Sequence, residues 1–363
     1  MEETTQQVFL LLVRIGIGHW VDDLPESIDW EALRALAQEQ GLDAIVLDGI
    51  VALSNRGDLI GAMALDRPLK MQWIHSVIRN YEDNYKVYQK RIGELAGFYN
   101  AHGFRLMVLK GYGLSLNYPV PNHRPCGDID IWAFGQYMKA DAALSRELGI
   151  PIEQEHHHHT VFCFNEYKVE NHYAFLDVHY SNRYHKLEEI LKKQAENDSC
   201  FIEIDGQNVY LPSANLHALF MLQHALSHFF AAKMILRQVL DWGFFIEKHG
   251  AEIDWDWMRN VMLDYRMTNF FQCLNAICVE DLGFDNNDFP EIQFDEQLRK
   301  RVLNDILSPE LYSPPPESRF CRLFFKLRRW QAKAWKHDLC YDGGRFNVFL
   351  RGIWSHLINP SSI

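Results

Sequence analysis

Residues Val108–Phe134 read VLKGYGLSLNYPVPNHRPCGDIDIWAF, and the fold turns on this stretch. It closes in Gly127-Asp128-Ile129-Asp130-Ile131-Trp132. Side chains two apart on a strand share a face, so Asp128 and Asp130 are expected to point together while Ile129 and Ile131 turn to a core. Two carboxylates held that close repel unless a cation sits between them. Their hard oxygens select Mg²⁺ or Mn²⁺. Taken alone the Asp-x-Asp pair is common, and its bland reading is a strand leaving a polar turn with both Asp solvated.

The residues upstream favour the cation. Phe104–Leu109 reads as a buried strand, followed by the glycine turn Lys110-Gly111-Tyr112-Gly113 and a short run Leu114–Asn117. A strand, a glycine turn and a helix start aim backbone N–H groups at an anion, and a triphosphate is the usual one. A Pro-rich connection, Tyr118–Pro125, then returns the chain to the paired carboxylates. Phosphate cradle followed by Asp-x-Asp is the layout of metal-dependent nucleotidyl transfer. Lys110 and Arg124 flank the turn and are candidates for phosphate contacts. Gly111 permits the turn and the close approach of a phosphate.

Leu109-Lys110-Gly111, the Tyr-Pro loop, Arg124 and Gly127-Asp128-Ile129-Asp130-Ile131 together resemble the uncharacterised bacterial nucleotidyltransferase family, within the polymerase-β-like nucleotidyltransferase superfamily. Leu176-Asp177-Val178-His179-Tyr180 is similar to that family's later acidic-x-His-aromatic strand. His224, His228 and Leu236–Trp242 extend the likeness into the helical half, so it runs from about Phe104 to Trp257. Most superfamily members carry Gly-Ser or Gly-Gly after the first strand; here Lys110-Gly111-Tyr112 stands there, with Lys110 supplying charge. The resemblance implies Mg²⁺-dependent transfer of a nucleoside monophosphate from an NTP, with ATP the expected donor, to an unidentified acceptor: a small molecule, a protein or an RNA. The alternatives are a toxin-type enzyme acting on tRNA and a degenerate protein that binds a nucleotide without catalysis.

Such sites need a third carboxylate from a neighbouring strand. Asp177 is the first choice, because Ala174–Tyr180 alternates and places Asp177 and His179 on one face; Glu170 competes for the role. His156–His159 invites a metal, but consecutive strand residues alternate faces, so four cannot ligate one ion, and a polar strand edge with one inward His is favoured. His224 and His228, four apart on a helix, share a face. Their sequence His-Ala-Leu-Ser-His lacks the Glu of a zinc peptidase. They are equally well cleft-lining or interior histidines.

Around this core the chain is expected to be α+β: a small mixed sheet flanked by helices. Three parts are expected: an N-terminal helical region 1–103, a catalytic domain 104–212 and a C-terminal helical domain 213–363. Helices are read at 4–20, 30–40, 43–53 and 68–102. In the last, Trp73, Val77, Tyr81, Tyr85 and Tyr88 recur at core spacing. A helix at 136–148, strands at 159–164, 167–170 and 174–180, and a helix at 187–196 come next. The Asp205-Gly206 turn then marks a hairpin over 201–211. Further helices are read at 213–231, 233–249, 254–280, 295–307, 317–338 and 345–358. The helix around Arg319–Lys336 is basic and amphipathic, by default a solvated face.

The net charge of −12 disfavours general capture of nucleic acid. Seven cysteines without a Cys-x-x-Cys pair exclude a zinc ribbon and a disulfide framework, and reduced thiols in a cytoplasm are expected. The opening Met-Glu-Glu-Thr-Thr and the short apolar run after it fit neither a signal peptide nor a membrane span.

Overall fold

The computed structural model describes residues 2–309, apart from 22–24, 60–62, 155–157, 178–181, 198, 232, 291–292 and 294, together with 325, 328, 331–332 and 334–340. The fold is α+β. Six strands form one mixed sheet in the order β3-β4-β2-β1-β6-β5: β1 (Met107–Val108), β2 (Ile129–Trp132), β3 (His159–Phe164), β4 (Tyr167–His172), β5 (Ser199–Ile204) and β6 (Gln207–Pro212). β2 runs antiparallel to β1 and parallel to β4. β1 runs parallel to β6, and the hairpins β3–β4 and β5–β6 make the two outer pairs. Both hairpin turns hold left-handed residues, Asn165 and Glu166 in one and Asp205 and Gly206 in the other, as two-residue turns between twisted strands require.

The N-terminal helices are α1 (Glu2–Gly16), α2 (Trp30–Glu39), α3 (Asp43–Arg56), α4 (Arg67–Val77) and α5 (Asn84–Ala101). Asp29 and Asp66 cap α2 and α4 by accepting from Ala32 and Leu69 N–H groups. α4 and α5 are one long helix interrupted by a π-turn at Ile78–Asp83. Its aromatic stripe packs inward as the spacing required, with Trp73, Val77 and Tyr88 buried and Tyr81 and Tyr85 half-buried. After β1 come α6 (Tyr112–Ser115), α7 (Tyr137–Leu148) and α8 (Asn182–Asn197). The C-terminal helices are α9 (Ala214–Ala231), α10 (Leu236–His249), α11 (Trp255–Tyr265), α12 (Thr268–Ala276) and α13 (Glu296–Leu307).

Strand alternation divides the core in two. Val108, Ile129, Ile131, Phe162, Val169 and Val209 face α5 and α7. Met107, Leu109 and Trp132 face the other way and join the large core of N- and C-terminal helices. Gln40 crosses between these helical groups, donating to Ile306 O and accepting from Leu236 N.

Three expectations are corrected. Residues 174–177 are not a strand. The Tyr173 and Ala174 N–H groups both donate to His158 O, and Glu188 accepts from Phe175 and Leu176, so the local carboxylate replaces a ladder partner. The alternation there reflects packing, since Phe175 stacks on Trp132 and meets Phe220. The helix expected over 254–280 is broken at Arg266, which closes α11 in the left-handed conformation that glycine usually supplies. The first strand is only two residues long. The helix expected at 345–358, most of the basic helix 317–338, and His156, His157 and His179 lie outside the described residues. No helix among the described residues is long and apolar enough to cross a membrane.

Candidate active site

The same alternation that buries Ile129 and Ile131 sends Asp130 to the face covered by the C-terminal helices. β4 lies parallel to β2 with Asp130 opposite Glu170 and Trp132 opposite His172. Paired residues on neighbouring strands share a face. Lys168, Glu170 and His172 therefore line up two apart on β4, beside Asp128 and Asp130. Asp128, Asp130, Glu170 and His172 border one cavity of about 540 Å³, a size that suits a small-molecule ligand. Lys110, Gly111 and Arg124 border it from the turn, and His224, His228, Arg237, Gln238 and Asp241 from α9 and α10.

Asp130 is nearly buried and doubly held: Lys110 Nζ stands 2.7 Å and His172 Nε2 3.1 Å from its Oδ1. Burial opposes its ionisation, but the Lys110 charge and the His172 hydrogen bond outweigh it and hold the carboxyl below the usual range. Lys168 Nζ bridges the outer pair, 2.6 Å from Glu170 Oε1 and 3.1 Å from Asp128 Oδ2. Glu170 is likewise held low: burial raises it, and the Lys168 bond together with the His159 and Lys168 charges outweighs that. Oxygens of Asp130 and Glu170 and a His172 nitrogen lie within 4.8 Å of one another. Two ammonium groups thus stand among three carboxylates, of which Asp130 and Glu170 converge with His172. That donor set fits a hard divalent cation, Mg²⁺ or Mn²⁺.

The turn is built as its sequence demands. Gly111 has φ +57° and ψ −107°, and a Cβ there would collide with the Tyr88 hydroxyl. That hydroxyl donates to Asp128 O at 3.0 Å, so the core stripe of α5 anchors the Asp-x-Asp entry. Tyr85 Oη meets Ser115 Oγ at 2.9 Å and pins α6 to the same helix.

Arg124, expected at the phosphates, borders the cavity and is engaged within the fold. It is buried, donates through Nε and Nη2 to the two oxygens of Asp241 at 2.7 and 2.9 Å, and gives Nη1 to Gly111 O and Pro125 O at 3.1 Å. Tyr118 Oη adds a third bond to Asp241 at 2.7 Å. Arg124 therefore ties the glycine turn to α10. Asp177 is half-buried in the loop after β4 and is not among the residues bordering the cavity, whereas Glu170 borders it together with Asp128 and Asp130.

The histidines fall in two groups. His224 and His228 face each other, Nε2 to Nε2 at 3.2 Å, with Lys110 Nζ 3.4 Å from His224. Burial, with Lys110 beside them, pushes both below the ordinary imidazole range, so they are neutral at pH 7. His158 and His159 pack against each other and against His172. Burial lowers His158 to about 4. His172 and Lys168 were not singled out by sequence, although Lys-x-Glu-x-His at period two was the signal that would have found them once β4 was extended to residue 172.

The family model described as an uncharacterised nucleotidyltransferase matches residues 26–283. No curated protein matches the chain. No solved structure matches it.

Proposed function

We propose, on the premise that the chain belongs to this uncharacterised nucleotidyltransferase family, that it is a Mg²⁺- or Mn²⁺-dependent enzyme moving a nucleoside monophosphate from an NTP to an acceptor nucleophile. One observation carries the reading: Asp130 and Glu170 are paired across β2 and β4, with Asp128 beside them, in a cavity that also holds the Lys110-Gly111 turn. Asp128, Asp130 and Glu170 would hold the cation. When bound, such an ion neutralises phosphate charge and lowers the pKa of an attacking hydroxyl. Everything else falls to the chain's own groups.

His172 and Lys110 keep Asp130 ionised and oriented. Lys110 stands where the Gly111 turn opens, beside Asp130, within the proposed phosphate-binding region. The acceptor oxygen bonds to the α-phosphorus as the bridging oxygen leaves with pyrophosphate. Positioning and charge stabilisation carry such chemistry. ATP remains the expected donor, and the free cysteines among the described residues suit a reducing cytoplasm.

The test is transfer of label from α-³²P NTP to fractionated cell extract with Mg²⁺, run beside Asp130→Asn. Labelled acceptor with wild type and none with the variant is the expected result. Wild-type protein that neither binds NTP nor labels any fraction ends the proposal.

A further inference from the structure

Four permanent cations border the cavity: Lys110, Arg124, Lys233 and Arg237. Lys110 pairs with Asp130, Arg124 with Asp241 and Lys233 with Glu39. Arg237 has no ion pair or hydrogen bond among the described residues, and its Nε is buried without a partner. The nearest carboxylate in charge terms, Asp241, already gives both oxygens to Arg124. Two guanidinium groups therefore share one carboxylate, leaving one positive charge on this wall. Burial, and then repulsion by Arg124, lower the Arg237 pKa, yet an arginine stays charged at neutral pH. Arg237 is half-buried with its Nε closed off from solvent, and a cation so placed without a counter-ion suits a site where a ligand supplies the missing charge.

Position indicates which anion. Arg237 and Gln238 stand in the first turn of α10, where the helix end adds positive potential. Arg124, next to Arg237 in the field, bonds the carbonyl of Gly111, so this wall adjoins the glycine turn rather than the outer edge of the sheet.

We propose that Arg237 receives the β- and γ-phosphates of the nucleoside triphosphate, so that the C-terminal helical half, and not Arg124, completes the polyphosphate site. This rests on the nucleotidyltransferase reading and adds to it the residue that grips the leaving pyrophosphate. A guanidinium matches two phosphate oxygens at once, which an ammonium does not. The unpaired charge also has a consequence for the free protein. Without anion, replacing Arg237 by an apolar residue of similar length relieves a strained site rather than removing a contact.

The experiment uses the full chain in EDTA, so that cation binding plays no part, with sodium tripolyphosphate as the probe. Tripolyphosphate should raise the Tm of wild type, and NTP should displace it. Arg237→Met should have a Tm at or above that of anion-free wild type and bind tripolyphosphate about 10–100-fold more weakly. Arg237→Lys should keep part of the response. The proposal is overturned if wild type does not respond, if Arg237→Met responds as wild type does, if its anion-free Tm drops, or if NTP fails to displace tripolyphosphate. The last result would assign the site to another anion, such as a phosphate on the acceptor. Label transfer by wild type separates the two readings. Transfer with an indifferent Arg237→Met sinks only the anion site. An Arg237-dependent tripolyphosphate response without transfer sinks only the reaction.

Discussion

Arg124 and Asp241 form a buried two-pronged ion pair that joins chain positions 117 residues apart. One partner leads into the Asp-x-Asp strand and the other belongs to α10. The pair fixes the glycine turn against the helical half, because the same guanidinium holds Gly111 O.

Removing one partner strands the other as a buried charge. Arg124→Met and Asp241→Leu should each lower stability by about 3–5 kcal/mol in urea unfolding. The double variant should lose less than the two singles summed, because no unpaired charge remains from this pair. Additive losses would mean the two residues do not act together.

The Gly111 backbone conformation leaves no room for a side chain. Gly111→Ala should displace Tyr88, release Asp128 O, and cost about 1–3 kcal/mol through strain. Nucleotidyl transfer should fall with it. Unchanged stability and transfer would show that the turn has another conformation in solution.

Glu170 and Asp177 compete for one role. Glu170→Gln should reduce transfer by at least about 10²-fold and remove the Tm rise given by Mn²⁺. Asp177→Asn, in the loop outside the cavity lining, should stay within a few-fold of wild type. The reverse pattern would restore the carboxylate that the alternation of residues 174–180 favoured.

Asp43 offers a pH test away from the site. It is buried, its Oδ1 has no hydrogen-bond partner, and burial, opposed by the Arg34 charge, pushes its pKa up to about 6. The folded state then binds the proton more tightly than the unfolded chain. Its stabilising effect is complete below the unfolded pKa near ~4 and is lost as pH rises through about 6. Asp43→Asn should match wild type at low pH and exceed it at pH 8 by about 1–3 kcal/mol. A stability difference that does not vary with pH would contradict this assignment.

The sequence determined by itself whatever local periodicity encodes. Gly127–Trp132 fixed two carboxylates on one face and two isoleucines on the other, because strand period is two. The Asp205-Gly206 turn fixed its hairpin. The aromatic spacing from Trp73 to Tyr88 fixed a core helix. Tertiary structure decided the partners. Alternation in Ala174–Tyr180 looked like a strand, but β4 already had neighbours on both sides, and Glu188 took the free N–H groups. Parallel registry set Glu170 beside Asp130, which no local pattern specifies. Arg124 reads in sequence as a candidate for phosphate contact, and the fold brings a carboxylate far along the chain, Asp241, against it. Which charge is neutralised within the fold, and which waits for a ligand, depends on distances between segments remote in sequence.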